Sequence, residues 1–163
     1  MYRVYSFTLM AMLLAAAHCV AGDCPPSREA KAILDKADQL ELYSLEPDEK
    51  AAAVNPDGGF HGWKILGQTT IKDAGERKKL LTAFYQGLKD SKGDIAKCFN
   101  PRHGIRAKAG GKTVDAVICF ECLQVVYFVG NVNTKDTITE SPQRVFDEVL
   151  KKANVKLAPG PTR

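Results

Sequence analysis

Histidine and tryptophan are scarce in this 163-residue sequence, at three and one respectively, and no catalytic motif is present. No cluster of Lys and Arg with interleaved aromatic residues occurs, which argues against nucleic acid as a partner. The pairs Lys78-Lys79 and Lys151-Lys152 fall on the polar faces of expected helices and read as solvated surface. No internal repeat is found. No apolar run reaches the ~20 residues that a membrane-spanning helix needs.

What is present begins with "MYRVYSFTLMAMLLAAAHCVAG": one Arg, no acid, and an apolar run from about Phe7 to Ala17 followed by small residues. This is the plan of a secretory signal peptide over residues 1–22, cut near Asp23. A secreted or periplasmic protein without stable membrane insertion after cleavage is expected. A lipoprotein anchored at Cys19 or Cys24 is the alternative, weakened by His18 and Asp23, which stand where a small residue is expected. Cleavage removes Arg3 and no acid, lowering the formal charge from +4 by one. That surplus is too small to imply an anionic polymer as partner. About 140 residues remain, enough for one domain that buries roughly two-thirds of its unfolded surface. Its expected bounds are residues 23–158, with a disordered tail at 159–163.

"PPSREAKAILDKADQ" has the apolar spacing of an amphipathic helix. "ELYSLEP" gives a short strand from Leu40 to Leu45 that stops at Pro47, followed by a loop over residues 46–59. A strand from about Gly62 to Ile71 comes next, with His61 at its start read as exposed or hydrogen-bonded. Asp73, three residues before Glu76, caps a helix whose Leu80, Leu81, Phe84, Tyr85 and Leu88 share one face. Further on, "LQVVYFVG" reads as a buried strand and "NVNTKDTITE" as a polar connection. Ser141 as N-cap and Pro142 at the first position open the last helix. The order αββαβββα implies an α+β fold, a mostly antiparallel sheet with helices packed on one face.

Gly110 and Gly111 separate two strand-like runs and supply the positive φ angles of a two-residue hairpin turn. Ala109 then faces Lys112, Ile105 faces Ala116 and His103 faces Ile118. "CFNPRH" and "ICFEC" meet at the open end of this hairpin. Strict alternation puts His103 and Cys119 on opposite faces. Pro101 cannot donate to a ladder, so a departure from alternation is expected between Asn100 and His103. A continuous strand from Thr113 to Val129 would exceed the usual ~10 residues, so the chain should bend at "CFEC". Phe120-Glu121 is a poor hairpin turn, and a bulge or a metal-ordered knuckle would resolve the conflict.

Three kinds of chemistry suit these residues. The spacing Cys-x4-His followed by Cys-x2-Cys resembles a structural zinc ribbon with Cys98, His103, Cys119 and Cys122 as a closed tetrahedral set. A soft-ligand set of this kind also suits reduced copper. Glu121 would accept the remaining imidazole proton, and Arg102 would offset thiolate charge. An oxidising compartment instead favours a disulfide staple from Cys98 to Cys119 or Cys122. The third reading is thiol-based: Cys119 and Cys122 as a redox pair, or a cysteine-dependent enzyme in which His103 serves a thiolate and Glu121 orients the imidazole. A c-type haem is excluded, because Leu123 and not His follows Cys122.

The strings "CFNPRHGIRA" and "VDAVICFEC", with "ELYSLEP" and "WKILGQTTI" upstream, resemble a group of exported bacterial proteins of unknown function. The resemblance covers roughly Leu40 to Tyr127. It implies that Cys98, Pro101, Arg102, His103, Gly104, Cys119, Glu121 and Cys122 form one unit, and it brings no substrate, cofactor or reaction. The expected role is that of a binding or structural module with an unidentified protein or small-molecule partner, with thiol chemistry as the alternative. N-terminal sequencing of the exported protein checks the signal peptide: a start near Asp23 is expected, and intact Met1 in a membrane fraction would contradict it.

Overall fold

The computed structural model describes residues 27–50 and 59–160; the signal segment, Cys19 and Cys24 lie outside the described residues. These residues form three helices, α1 (Ser27–Asp35), α2 (Ala74–Lys89) and α3 (Gln143–Lys152), and six strands. The strands are β1 (Gln39–Lys50), β2 (Trp63–Thr70), β3 (His103–Ala109), β4 (Lys112–Cys119), β5 (Gln124–Val129) and β6 (Val132–Thr137). They pair antiparallel throughout in the order β2-β1-β3-β4-β5-β6. The fold is α+β, as expected.

Three segments differ from the sequence expectation. Val132–Thr137, read as a polar connection, is a sixth strand added to β5 through a turn in which Gly130 has φ +55°. β1 does not stop before Pro47 but runs on to Lys50. Its ladder with β3 ends at Ser44 and its ladder with β2 is bulged beyond that residue, so the missing N–H of Pro47 breaks no regular pair. Ser141 does not cap α3: its Oγ lies 2.8 Å from Thr139 Oγ1, and Pro142 occupies the cap without a side-chain bond. The cap on α2 follows expectation, with Asp73 Oδ1 accepting the Glu76 N–H at 2.7 Å.

All three helices bury their apolar stripes on one face of the sheet. Ile33 and Leu34 of α1, Leu80 and Phe84 of α2, and Phe146 and Leu150 of α3 meet Leu42, Ile105, Ala116, Ile118 and Val125 there. Each fully buried side chain of this size contributes about 1.5–3 kcal/mol relative to exposure.

The opposite face carries a smaller cluster of Tyr43, Leu45, Phe60 and Val117. Phe60 reaches it because Gly104 has no side chain: a Cβ there would lie 2.5 Å from Phe60 Cε1. Phe60 and Trp63 exchange backbone hydrogen bonds of 2.9 and 3.1 Å across a turn in which His61 and Gly62 take φ of +51° and +84°. The left-handed conformation costs His61 of order 1 kcal/mol. It is offset by stacking on Phe128 at 3.7 Å and by a 2.7 Å contact with Asp115 Oδ2.

Asp115 also accepts two hydrogen bonds of 2.7 Å from Arg106, whose guanidinium lies over the Phe60 ring. Burial opposes the charge of Asp115, but the hydrogen bonds from Arg106 and His61 together outweigh it and hold the carboxyl below its ordinary value. Asp115→Asn should destabilise the domain by about 2–3 kcal/mol, less than a fully buried pair because Arg106 remains solvated in part. The sign with pH follows from the lowered value. The stabilisation is full above about pH 4 and is lost as pH falls through the folded value. Urea unfolding from pH 7 to pH 2 should therefore show the wild type and Asp115→Asn converging, whereas a constant gap would contradict this account.

Candidate functional site

The β3–β4 hairpin turns at Gly110 and Gly111, with φ of +55° and +76°. Ala109 faces Lys112, Ile105 faces Ala116 and His103 faces Ile118, the expected register. Both regular ladders of β3 end at His103, as Pro101 leads one to expect, but no departure from alternation follows at His103 itself. Arg102 O accepts the Leu45 N–H at 3.0 Å, which ties the residue after Pro101 to β1 and carries the alternation through His103. The side chains of His103 and Cys119 consequently stay on opposite faces.

β4 ends at Cys119, and β5 begins at its partner Gln124. The tight turn between them is made without the expected bulge or metal-ordered knuckle. Leu123 takes φ +57° and donates its N–H to Phe120 O at 3.3 Å, and a disulfide between Cys119 and Cys122 closes the loop. The disulfide thus spans the turn and does not staple Cys98 to the hairpin.

Cys98 keeps a free, exposed thiol. Its Sγ lies 3.3 Å from Cys122 Sγ. One backbone and one side-chain hydrogen bond hold it there: the Ala96 N–H donates to Cys122 O at 3.1 Å, and Gln124 Nε2 donates to Ala96 O at 2.9 Å. The Asn100 N–H points at Cys122 Sγ at 3.3 Å, and the Cys122 N–H points at Cys119 Sγ at 3.1 Å. Cys119 and Cys122 are 1% and 0% exposed. Of the three sulfurs, only that of Cys98 meets solvent.

Arg102 and Glu121 pair with each other, Nη1 to Oε2 at 2.6 Å, while Arg102 Nε donates to Pro159 O at 2.7 Å. This clamp ties the β4–β5 turn to the C-terminal segment. Glu121 is therefore not the partner of His103. That partner is Asp147 on α3, whose Oδ1 is 2.9 Å from Nε2. The His103 ring packs edge-on against Phe120 and Phe146, and its buried Nδ1 has no hydrogen-bond partner among the described residues.

Cys98, Cys119 and Cys122 are brought together, and His103 is not. Two of the three sulfurs are bonded to each other and the imidazole lies across the sheet. Among the described residues, no group of three or more His, Cys, Asp or Glu is placed to hold a metal ion. The arrangement of a His103 base beside a thiolate is absent for the same reason. What the site can do is thiol–disulfide exchange, because a free thiol sits in contact with a disulfide sulfur.

Two participants have no signal in the sequence. Asp147 is 44 residues from His103, and the Asn100 N–H is a backbone group whose direction depends on the path of the loop. The bend at "CFEC" did have a signal, the excessive length of the strand. No protein-family model, curated protein or solved structure matches the chain.

Proposed function

We propose that the chain is an exported domain that passes disulfides between its surface and a buried pair through Cys98, Cys119 and Cys122. One observation carries this: the free Cys98 thiol lies 3.3 Å from Cys122 Sγ. The signal-like residues 1–22 supply the compartment in which such chemistry persists. Membership of the exported bacterial proteins whose motifs the chain resembles is part of the same proposal.

In the first step the Cys98 thiol loses its proton and the thiolate attacks Cys122 Sγ. A Cys98–Cys122 bond forms and the Cys119–Cys122 bond breaks, leaving Cys119 as thiolate, which takes up a proton. No net oxidation occurs. The Cys122 N–H that points at Cys119 Sγ is placed to stabilise the departing thiolate. The new disulfide has one sulfur at the surface, where a thiolate of a partner dithiol can attack Cys98. The partner's second thiol then resolves the mixed disulfide. The partner is oxidised by two electrons and Cys98 and Cys122 are reduced. Run backwards, the same steps reduce a partner disulfide and store the bond in the sealed pair.

A second reading makes the cross-linked turn only a rigid part of a binding module, and the burial of Cys119 and Cys122 favours it. Cys98→Ser separates the two. Direct attack by glutathione on the buried disulfide is hindered, so relay through Cys98 should make reduction of the wild type at least about tenfold faster than that of Cys98→Ser. Acid-quenched alkylation and mass spectrometry give both rates, and thermal melts establish that the variant is folded. Equal rates would leave the structural reading.

A further inference from the structure

The sealed disulfide is not the only feature with unused chemistry. Around the end of α2, α1 and the β5–β6 pair line a cleft of about 730 Å³, within the ~300–1,000 Å³ of small-molecule sites. Its walls are of two kinds. Leu34, Leu88 and the rings of Tyr85 and Tyr127 make an apolar floor, and Lys31, Lys89 and Lys92 stand around it.

The polar groups on this wall are unevenly used. Lys31 pairs with Asp35 at 2.6 Å and lies over the Tyr85 ring at 4.4 Å, and Tyr85 itself donates to Asp35 at 2.7 Å. Lys89 and Lys92 have no ion-pair partner among the described residues. Tyr127 is only 4% exposed, and its hydroxyl has no hydrogen-bond partner among the described residues. The hydroxyl is not sealed: it opens into the cleft, where water satisfies it, and a ligand that displaces this water must take over its hydrogen bond. Burial, with the neighbouring Asp136, pushes the Tyr127 phenol well above its ordinary value. It stays protonated and can donate.

We propose that this cleft binds a small organic anion with a flat apolar body. The body fills the space between Leu34, Leu88 and the two tyrosine rings, the Tyr127 hydroxyl donates to an oxygen of the ligand, and Lys89 and Lys92 hold the negative charge. Asp136 is the one carboxylate on the wall, and the C-terminal end of α2 adds about half a negative charge. Lys31 is neutralised by Asp35, and Lys89 and Lys92 exceed Asp136 and the helix end by about half a charge, so the sign of the site is positive. Cation-binding is disfavoured by that surplus, and a wholly apolar ligand would leave the hydroxyl unsatisfied. No cysteine lines this cleft.

Naphthalene-2-sulfonate is a suitable probe, titrated into the purified exported protein by calorimetry and by NMR. The expected result is saturable one-to-one binding that weakens at least about tenfold in Lys89→Met/Lys92→Met and about fivefold in Tyr127→Phe, which deletes only the hydroxyl. Binding should also weaken with salt, because the lysines are solvated. The uncharged 2-naphthamide should bind at least about tenfold less well. Binding of the sulfonate that is absent, or equal in all variants, or matched by the amide, would overturn the proposal. NMR spectra of the variants that retain the wild-type dispersion exclude loss of folding as the cause.

Discussion

The register of the β3–β4 hairpin is the constraint on which the rest depends. Two glycines at its tip accept positive φ, and every pairing down to His103 and Ile118 follows from that turn. A slip of one residue between the two strands would turn Ala116 and Ile118 away from the helices, exposing their apolar surface to water, while Ile105 stayed. It would also bring Cys119 onto the face of His103. The separation of the imidazole from the sulfurs is thus a consequence of where the core lies, with no special feature at the site required.

On the helix side, His103 is absorbed into the core beside Phe120 and Phe146 and anchors Asp147 of α3. On the other side, the turn after β4 is too tight for its residues, and a covalent bond closes it. The loop before β3 is laid over that turn by the Ala96 N–H on Cys122 O and the Gln124 amide on Ala96 O, which is why Cys98 arrives beside Cys122. The same open face holds Phe60 above Gly104 and the His61–Asp115–Arg106 network. Those groups are mutually satisfied, so they read as fastening for the turn at His61, whereas the exposed thiol beside a disulfide still has chemistry available.

Features set by local chemistry were legible in the sequence: the Gly110-Gly111 turn, the Asp73 cap, the apolar face of α2 and the α+β class. Features that depend on the path of the chain were not. β6 has little apolar content and no alternation to announce it, because it is an edge strand whose residues are mostly exposed or half-buried. It forms because β5 offers an unpaired edge and Gly130 permits the turn. Pro47 reads as a strand end because it has no N–H to donate, yet regular pairing of β1 has already ended at Ser44, so the strand runs past it. The cysteine pairing was illegible for a similar reason. Spacing gives the reach of Cys119, Cys122 and Cys98, and only the tight β4–β5 turn selects which two are bonded.

Disulfide mapping of the purified protein tests the central claim most directly. Thiols are blocked in acid before digestion, so that exchange is frozen, and the peptides are assigned by mass spectrometry. The account predicts a Cys119–Cys122 link with the alkyl label on Cys98, together with a minor form in which Cys98 is linked to Cys122 and the label is on Cys119. Cys98 held wholly in a bond to a cysteine outside this group, or the label on all three residues, would contradict it.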